Sequence, residues 1–182
     1  GDERAEILHR VGHELEVRRA ELMEVAASEA GKTLDQSDPE VSEAIDFAHY
    51  YAERARDLDR IDGATAVPSR LIVVTPPWNF PIAIPAGSTL AALASGASVI
   101  IKPARATART GATMVEALWA AGVPKDVAQL LVGGPEEGRA LVAHLIDFHA
   151  RASKPAFWAV YDRCEREPEA LIDDGDCIGA IQ

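Results

Sequence analysis

The chain of 182 residues is long enough for one domain with a buried core, and 29 acidic against 18 basic residues give it a net charge of −11. This charge repels nucleic acid and anionic membranes over most of the surface, so neither is an expected partner. No apolar run approaches the roughly 20 residues that span a bilayer, and no signal segment is evident at the start, so we expect a cytoplasmic location.

The first 63 residues are predicted to form two helices. An apolar stripe of helical period over residues 3–30 predicts one helix, and Gly31 is placed to cap its C-terminus. A second helix is expected to begin near Ser37 or Asp38, and Glu40 would complete a capping box if Ser37 is the cap. Residues 1–63 are therefore predicted to be an N-terminal helical segment.

Two histidines of the first predicted helix raise the question of a metal site. His9 and His13 are four residues apart, a spacing that could place both imidazoles on one ion. The motif of the zinc proteases has its glutamate between the two histidines, whereas here Glu14 follows the second one. A solvated helix face is the preferred interpretation, and no metal is expected.

From residue 64 onward, short apolar runs alternate with helical patterns, which predicts an α/β fold. The spacing implies parallel strands joined by right-handed crossovers, half of a doubly wound, Rossmann-like sheet. The predicted strands are 71–75, 98–101 and 127–132. The predicted helices are 82–95, one capped by Thr107 that runs to Ala121, and one from Glu136 to His144 or beyond. Ligands of such sheets bind at the carboxyl ends of the strands, where Asn79, Lys102 and Gly133 are expected to cluster.

The first predicted strand ends in an unusual turn, Thr75-Pro76-Pro77-Trp78-Asn79-Phe80-Pro81. The Asn79 carboxamide, held between prolines, could donate a hydrogen bond to an oxygen that becomes negative during acyl chemistry. A strand-end turn in which asparagine is simply favoured explains the same residues equally well. From these residues alone, both interpretations remain open.

This turn resembles the P-W-N-F-P signature of the aldehyde dehydrogenase superfamily. Further similarity lies in Glu29–Thr33, which resembles an E-x-G-K segment, in Asp38–Phe47, and in Lys102–Ala104. The resemblance is greatest to the L-glutamate γ-semialdehyde (1-pyrroline-5-carboxylate) dehydrogenase domain of bifunctional proline-catabolism enzymes, and it covers roughly residues 1–144. It implies that residues 64–144 are part of an NAD(P)-binding domain that is incomplete here.

The resemblance also implies roles for individual residues. Asn79 would belong to the oxyanion hole, and Lys102 would hydrogen-bond the adenosine ribose of NAD. Many members have a glutamate three residues after this lysine, where Arg105 stands here, and an arginine suits the 2′-phosphate of NADP. The implied cofactor-binding residues are Thr75, Pro76, Pro77, Trp78, Lys102, Ala104, Arg105 and Gly133.

Several parts of the family's chemistry are missing from the sequence. We find no Thr-Gly-Ser turn for the pyrophosphate, no downstream glutamate general base and no nucleophilic cysteine in the family's context. Cys164 and Cys177 cannot be assigned that role, because neither has the required setting. The chain is therefore predicted to be a fragment that oxidises no aldehyde by itself. The alternative is a non-catalytic α/β remnant or interaction module.

The tail, residues 145–182, differs in character. Residues 149–158 read H-x-R-x-x-K-P-x-x-W, which resembles a short segment of proteins that join a RecB-like nuclease to a helicase. A nucleic-acid-processing fragment is thus a third candidate, although the acidic charge argues against it. A surface helix and loop is the simpler interpretation of the tail. An incomplete sheet would also leave an apolar face and an edge through which the chain could form a homo-oligomer.

Overall fold

The computed structural model describes the backbone of residues 1–152 and the side chains of residues 1–144. The chain divides into two compact units, Gly1–Leu131 and Val132–Gln182. The elements of the first unit are α1 (Asp2–Val17), α2 (Arg19–Ala30), α3 (Leu34–Leu58), β1 (Leu71–Val74), α4 (Ala83–Ser95), β2 (Ser98–Ile101), α5 (Ala108–Ala120) and β3 (Ala128–Leu130). In the second unit, α6 spans Pro135–Ala152.

The three strands form one parallel sheet in the order β1-β2-β3. Each neighbouring pair of strands is joined by a helix, α4 and then α5, as the alternating pattern predicted. Helix α1 packs against both connecting helices, so these lie on the same face of the sheet. The side chains of Val99, Ile101 and Ala128 are fully buried, which is consistent with this helix-covered face. The predicted half of a doubly wound sheet is therefore confirmed.

Helices α1, α2 and α3 form a further layer over α4 and α5. The buried stripe of α3 is mostly alanine, with Ala44, Ala48, Ala52 and Ala55 fully buried, and such small side chains let helices approach closely. Gly87 of α4 serves the same purpose, because a Cβ there would lie 3.0 Å from Cε2 of Phe47. The N-terminal helical segment is thus packed tightly on the two connecting helices.

The single helix predicted over residues 3–30 is wrong, because the structure has two helices there. Arg18 lies between α1 and α2 with φ −92° and ψ 9°, which interrupts the helical geometry. Gly31 ends α2 in the left-handed region at φ 66°, as predicted. No buried hydrophobic residue lies between Leu15 and Leu22. Because these two leucines are seven residues apart, about two helical turns, the apolar pattern continues across the break and does not reveal it.

The predicted start of the second helix is also wrong. Helix α3 begins at Leu34, with Thr33 as its N-cap, and the Thr33 N–H donates to Oε1 of Gln36 at 3.2 Å. Ser37 lies inside the first turn, where its hydroxyl donates to the Thr33 carbonyl at 3.0 Å. Glu40 consequently takes no part in capping its own helix.

Two arginines of α1 complete the C-termini of the connecting helices. Arg4 Nε donates to the Ala94 carbonyl of α4 at 3.1 Å, and Arg10 Nε donates to the Ala121 carbonyl after α5 at 2.9 Å. Cations are favoured at helix C-termini, where the last carbonyl groups lack intrahelical partners. These contacts tie α1 to both connecting helices.

The second unit contains the predicted glycine turn and helix. The Gly134 N–H donates to Oε2 of Glu137 at 2.6 Å, which caps the start of α6. Helix α6 begins at Pro135 and continues through His144, so the junction proposed near residue 144 stays a prediction. The remainder of the tail, with Cys164 and Cys177, lies outside the described residues. Across the described part of the chain, no helix is both long and apolar enough to cross a membrane.

Candidate functional site

The carboxyl ends of β1 and β2 bring two of the predicted segments together. Val74 and Ile101 are paired in register, so Thr75 and Lys102 leave the sheet side by side. The Lys102 N–H donates to the Val74 carbonyl at 2.9 Å. The proline-rich turn and the lysine therefore emerge at the same edge of the sheet, as the sequence pattern predicted.

The segment after β1 runs from a buried anchor to an accessible turn. Pro76 is buried and Thr75 and Pro77 are half-buried, which fixes the start of the segment. Trp78 is then 56% exposed, and Asn79 is exposed as well. The Asn79 carboxamide is thus accessible at the sheet edge, held between two prolines that restrict the backbone.

The segment after β2 is held by close packing against α5. A Cβ on Gly111 of α5 would lie 2.6 Å from the Cβ of Pro103, so only glycine allows this approach. Lys102 and Ala104, on either side of that proline, are half-buried. Arg105 opens a short 3₁₀ turn, is exposed, and forms no ion pair with any described residue. Two cationic side chains therefore belong to this rigid segment.

A carboxylate from α3 occupies the N-terminus of α4. Glu40 is only 3% exposed, and its Oε2 accepts the N–H groups of Ile82 at 3.0 Å and Ala83 at 3.2 Å. Its Oε1 is paired with Nζ of Lys32, which compensates the buried charge. The first N–H groups of α4 therefore have an internal anionic partner.

The N-terminus of α5 is closed in the same way by a carboxylate from α2. Glu29 Oε1 accepts the Arg109 N–H at 3.0 Å, while Oε2 accepts the Thr110 N–H at 2.7 Å and the Thr110 hydroxyl at 2.8 Å. Open helix N-termini at this edge of a sheet are ordinary phosphate sites. Because carboxylates occupy both, neither α4 nor α5 offers a site for the pyrophosphate of a dinucleotide.

The contacts of Glu29, Lys32 and Glu40 were not predicted from the sequence. The resemblance to an E-x-G-K segment singled out Glu29 and Lys32 without giving their contacts. Glu40 was expected to cap its own helix, whereas it caps α4. Their partners lie up to 81 positions along the chain, beyond the reach of local spacing rules. Gly133, also predicted for the site, belongs to the second unit, and its role stays a prediction.

His9 of α1 contacts α3, whereas no such contact occurs for His13 among the described residues, so the two histidines of α1 do not form a chelate. His9 Nδ1 lies 2.8 Å from His49 Nδ1, and the ring centroids are 5.1 Å apart, so one of the two nitrogens donates a hydrogen bond to the other. His9 Nε2 lies 3.0 Å from Glu53, and this hydrogen bond, followed by that from Arg56, lowers the pKa of the Glu53 carboxyl. His13 is exposed. The described residues contain no group of three or more side chains suited to a metal ion.

Comparison with known proteins gives consistent matches. The family model described as "Aldehyde dehydrogenase family" matches residues 1–148. The chain is 46% identical over 142 residues to "Bifunctional protein PutA" of Klebsiella aerogenes, covering 78% of this chain and 11% of that protein. It is 37% identical over 154 residues to "1-pyrroline-5-carboxylate dehydrogenase 2" of Bacillus subtilis, covering 79% of this chain and 30% of that protein.

A solved structure gives the same result. Proline utilization A (PutA) from Corynebacterium freiburgense superposes with a TM-score of 0.75 at 45% identity, over 78% of this chain and 15% of that one. The chain thus spans about 11% to 30% of the length of the curated relatives described above. On the extent of the family match and the agreement of the fold, this chain belongs to the aldehyde dehydrogenase family.

Proposed function

We propose that this chain is part of an NAD(P)-dependent aldehyde dehydrogenase that oxidises L-glutamate γ-semialdehyde to glutamate in proline catabolism. Within that enzyme it would hold the adenosine half of the cofactor through Lys102 and present Asn79 to the oxyanion. The observation that carries this proposal is the shared edge of β1 and β2, where the Lys102 N–H bonds the Val74 carbonyl. The names of the PutA and 1-pyrroline-5-carboxylate dehydrogenase relatives support the choice of substrate.

The groups at this edge suit part of the cofactor. The Lys102 ammonium is a hydrogen-bond donor of the kind that ribose hydroxyls accept, and the Arg105 guanidinium, without an ion pair among the described residues, suits a 2′-phosphate. The pyrophosphate has to be held elsewhere, because Glu29 and Glu40 close the nearby helix N-termini. Bound NAD(P) would supply the hydride acceptor.

Within the full enzyme, Asn79 would act by charge stabilisation. The prolines on either side of Asn79 restrict its backbone, so its carboxamide N–H needs little reorganisation when the aldehyde oxygen becomes negative. One such donor lowers the barrier by about 3 kcal/mol. That contribution requires a covalent intermediate, which in turn requires a nucleophile. Neither Cys164 nor Cys177 has the sequence context of the family nucleophile. We therefore expect no aldehyde oxidation by this chain alone.

The test separates binding from catalysis. The purified chain, mixed with L-glutamate γ-semialdehyde and either NAD or NADP, should produce no reduced cofactor. In a parallel titration, it should bind both nucleotides weakly, with NADP favoured through Arg105. Production of NADH would overturn the expected inactivity, and tighter binding of NAD than of NADP would remove the role of Arg105.

The second candidate is a non-catalytic α/β remnant that binds no nucleotide. One observation favours it, namely that both helix N-termini at the sheet edge are closed by carboxylates. Absence of binding by either nucleotide at millimolar concentration would support this alternative.

A further inference from the structure

The turn that carries Asn79 is held by two charged residues from the helical segment. We propose that Lys32 and Glu40 are positioning residues for Asn79, fixing the Trp78–Pro81 turn from the side of α2 and α3. This inference rests on the proposed function for the meaning of Asn79, whereas the contacts themselves do not depend on it.

Glu40 fixes the end of the turn. Its Oε2 accepts the N–H groups of Ile82 and Ala83, the two residues that directly follow Pro81. Two hydrogen bonds from adjacent N–H groups to one buried carboxylate oxygen define both the position and the direction of the backbone there. The exit of the turn is thereby locked to α3.

Lys32 fixes the residue next to Asn79. Its Nζ is paired with Oε1 of Glu40 and lies 4.3 Å from the centroid of the Phe80 ring. The Lys32 side chain is only 10% exposed, so both contacts are largely shielded from water and are stronger than their surface equivalents. One ammonium group therefore connects the ring that follows Asn79 to the carboxylate that holds the turn's exit.

The entrance of the turn is fixed separately by the sheet. Pro76 is buried after β1, and Pro77 restricts the backbone before Trp78. Asn79 is exposed and no hydrogen bond to its side chain occurs among the described residues. Its position thus depends on its chain neighbours, and these depend on Lys32 and Glu40. Loss of either charge should free the turn while the sheet stays folded.

The experiment follows backbone order in the ¹⁵N-labelled full chain without ligand. In the wild type, the Asn79 and Phe80 amides should have order parameters of about 0.85, as in rigid backbone. The Lys32→Met substitution should lower both to below about 0.6, the range of flexible segments, while the amides of β1 and β2 remain unchanged. Lys32→Arg should restore the order, because arginine can both pair with Glu40 and stack on Phe80.

Two further variants keep the test decisive. Phe80→Leu removes only the ring of a residue that is 46% exposed, so the fold should persist while the order of Asn79 falls. Lys125→Met is the matched control, since Lys125 Nζ lies 4.8 Å from the Trp119 ring in a comparable contact far along the chain. It should leave the Asn79 amide unchanged.

The outcomes distinguish this proposal from the proposed function. Unchanged order of Asn79 in both Lys32→Met and Phe80→Leu would overturn the positioning role, whatever nucleotides the chain binds. A loss of order that Lys32→Arg fails to restore would also overturn it. Loss of order with rescue, in a chain that binds no nucleotide, would uphold the positioning role and refute the cofactor assignment.

Discussion

Removal of the Glu29 carboxylate should destabilise the first unit more than any other single change on the surface of α2. Glu29 accepts three hydrogen bonds at the N-terminus of α5, two of them from Thr110, whose side chain is fully buried. In Glu29→Ala, the N–H and hydroxyl of Thr110 lose their partner in a place that water reaches poorly. An unsatisfied buried polar group costs about 1–3 kcal/mol, and loss of an N-terminal cap about 0.5–2 kcal/mol.

These costs overlap, since the cap and the hydrogen bonds are the same contacts, so we expect a loss of about 2 kcal/mol for Glu29→Ala. In a chain of this size that corresponds to a fall in melting temperature of about 4–8 °C. Glu29→Gln should lose about half as much. Its amide oxygen can still accept from Thr110, but its NH₂ group would face the N–H of Arg109.

The assay is urea unfolding followed by circular dichroism, with the midpoint as the measured quantity. Glu24 provides a matched control on the same helix, because it is exposed and forms no hydrogen bond or ion pair with the described residues. Glu24→Ala should change the unfolding free energy by less than about 0.5 kcal/mol. Equal midpoints for Glu29→Ala and Glu24→Ala would refute the capping role.

Two further changes test other contacts. Gly111→Ala should lower the free energy of unfolding by about 1–3 kcal/mol, because the new Cβ would lie 2.6 Å from the Cβ of Pro103. This loss should outweigh the higher helix propensity of alanine. A higher melting temperature of the variant in thermal unfolding would contradict this packing. Glu53→Gln should weaken the acid dependence of stability. The lowered pKa of Glu53 means that its contribution is present above the unfolded-state pKa and disappears as the pH falls through the folded-state value. If wild type and Glu53→Gln had the same urea midpoint at neutral pH and again at acid pH, this contribution of Glu53 would be contradicted.

The strands and their connecting helices were predictable because their signals are local. The strand Ser98–Ile101 coincides with its prediction, since a short apolar run between Gly96 and Pro103 has few alternatives. Gly31 and Gly96 lie in the left-handed region at the predicted helix ends, where glycine is the favoured residue. Parallel pairing then followed from the helices between the strands.

The contacts that define the site were not predictable from spacing. Glu40 was predicted to complete a capping box of its own helix, because the capping-box pattern considers only residues three positions apart. In the structure it caps a helix that begins 43 residues later, and only the packing of α3 on α4 makes that contact available. Likewise, nothing in the sequence near Arg18 separates α1 from α2. At Glu40, a tertiary contact overrides the local pattern.

The most direct test of the central claim is calorimetric titration of the chain with NAD and NADP, comparing wild type with Lys102→Met and with the control Lys125→Met. We predict measurable binding that weakens about tenfold in Lys102→Met, equivalent to about 1.4 kcal/mol, and stays unchanged in Lys125→Met. Equal dissociation constants for wild type and Lys102→Met, or no binding of either nucleotide at millimolar concentration, would contradict the assignment of the sheet edge as a cofactor site.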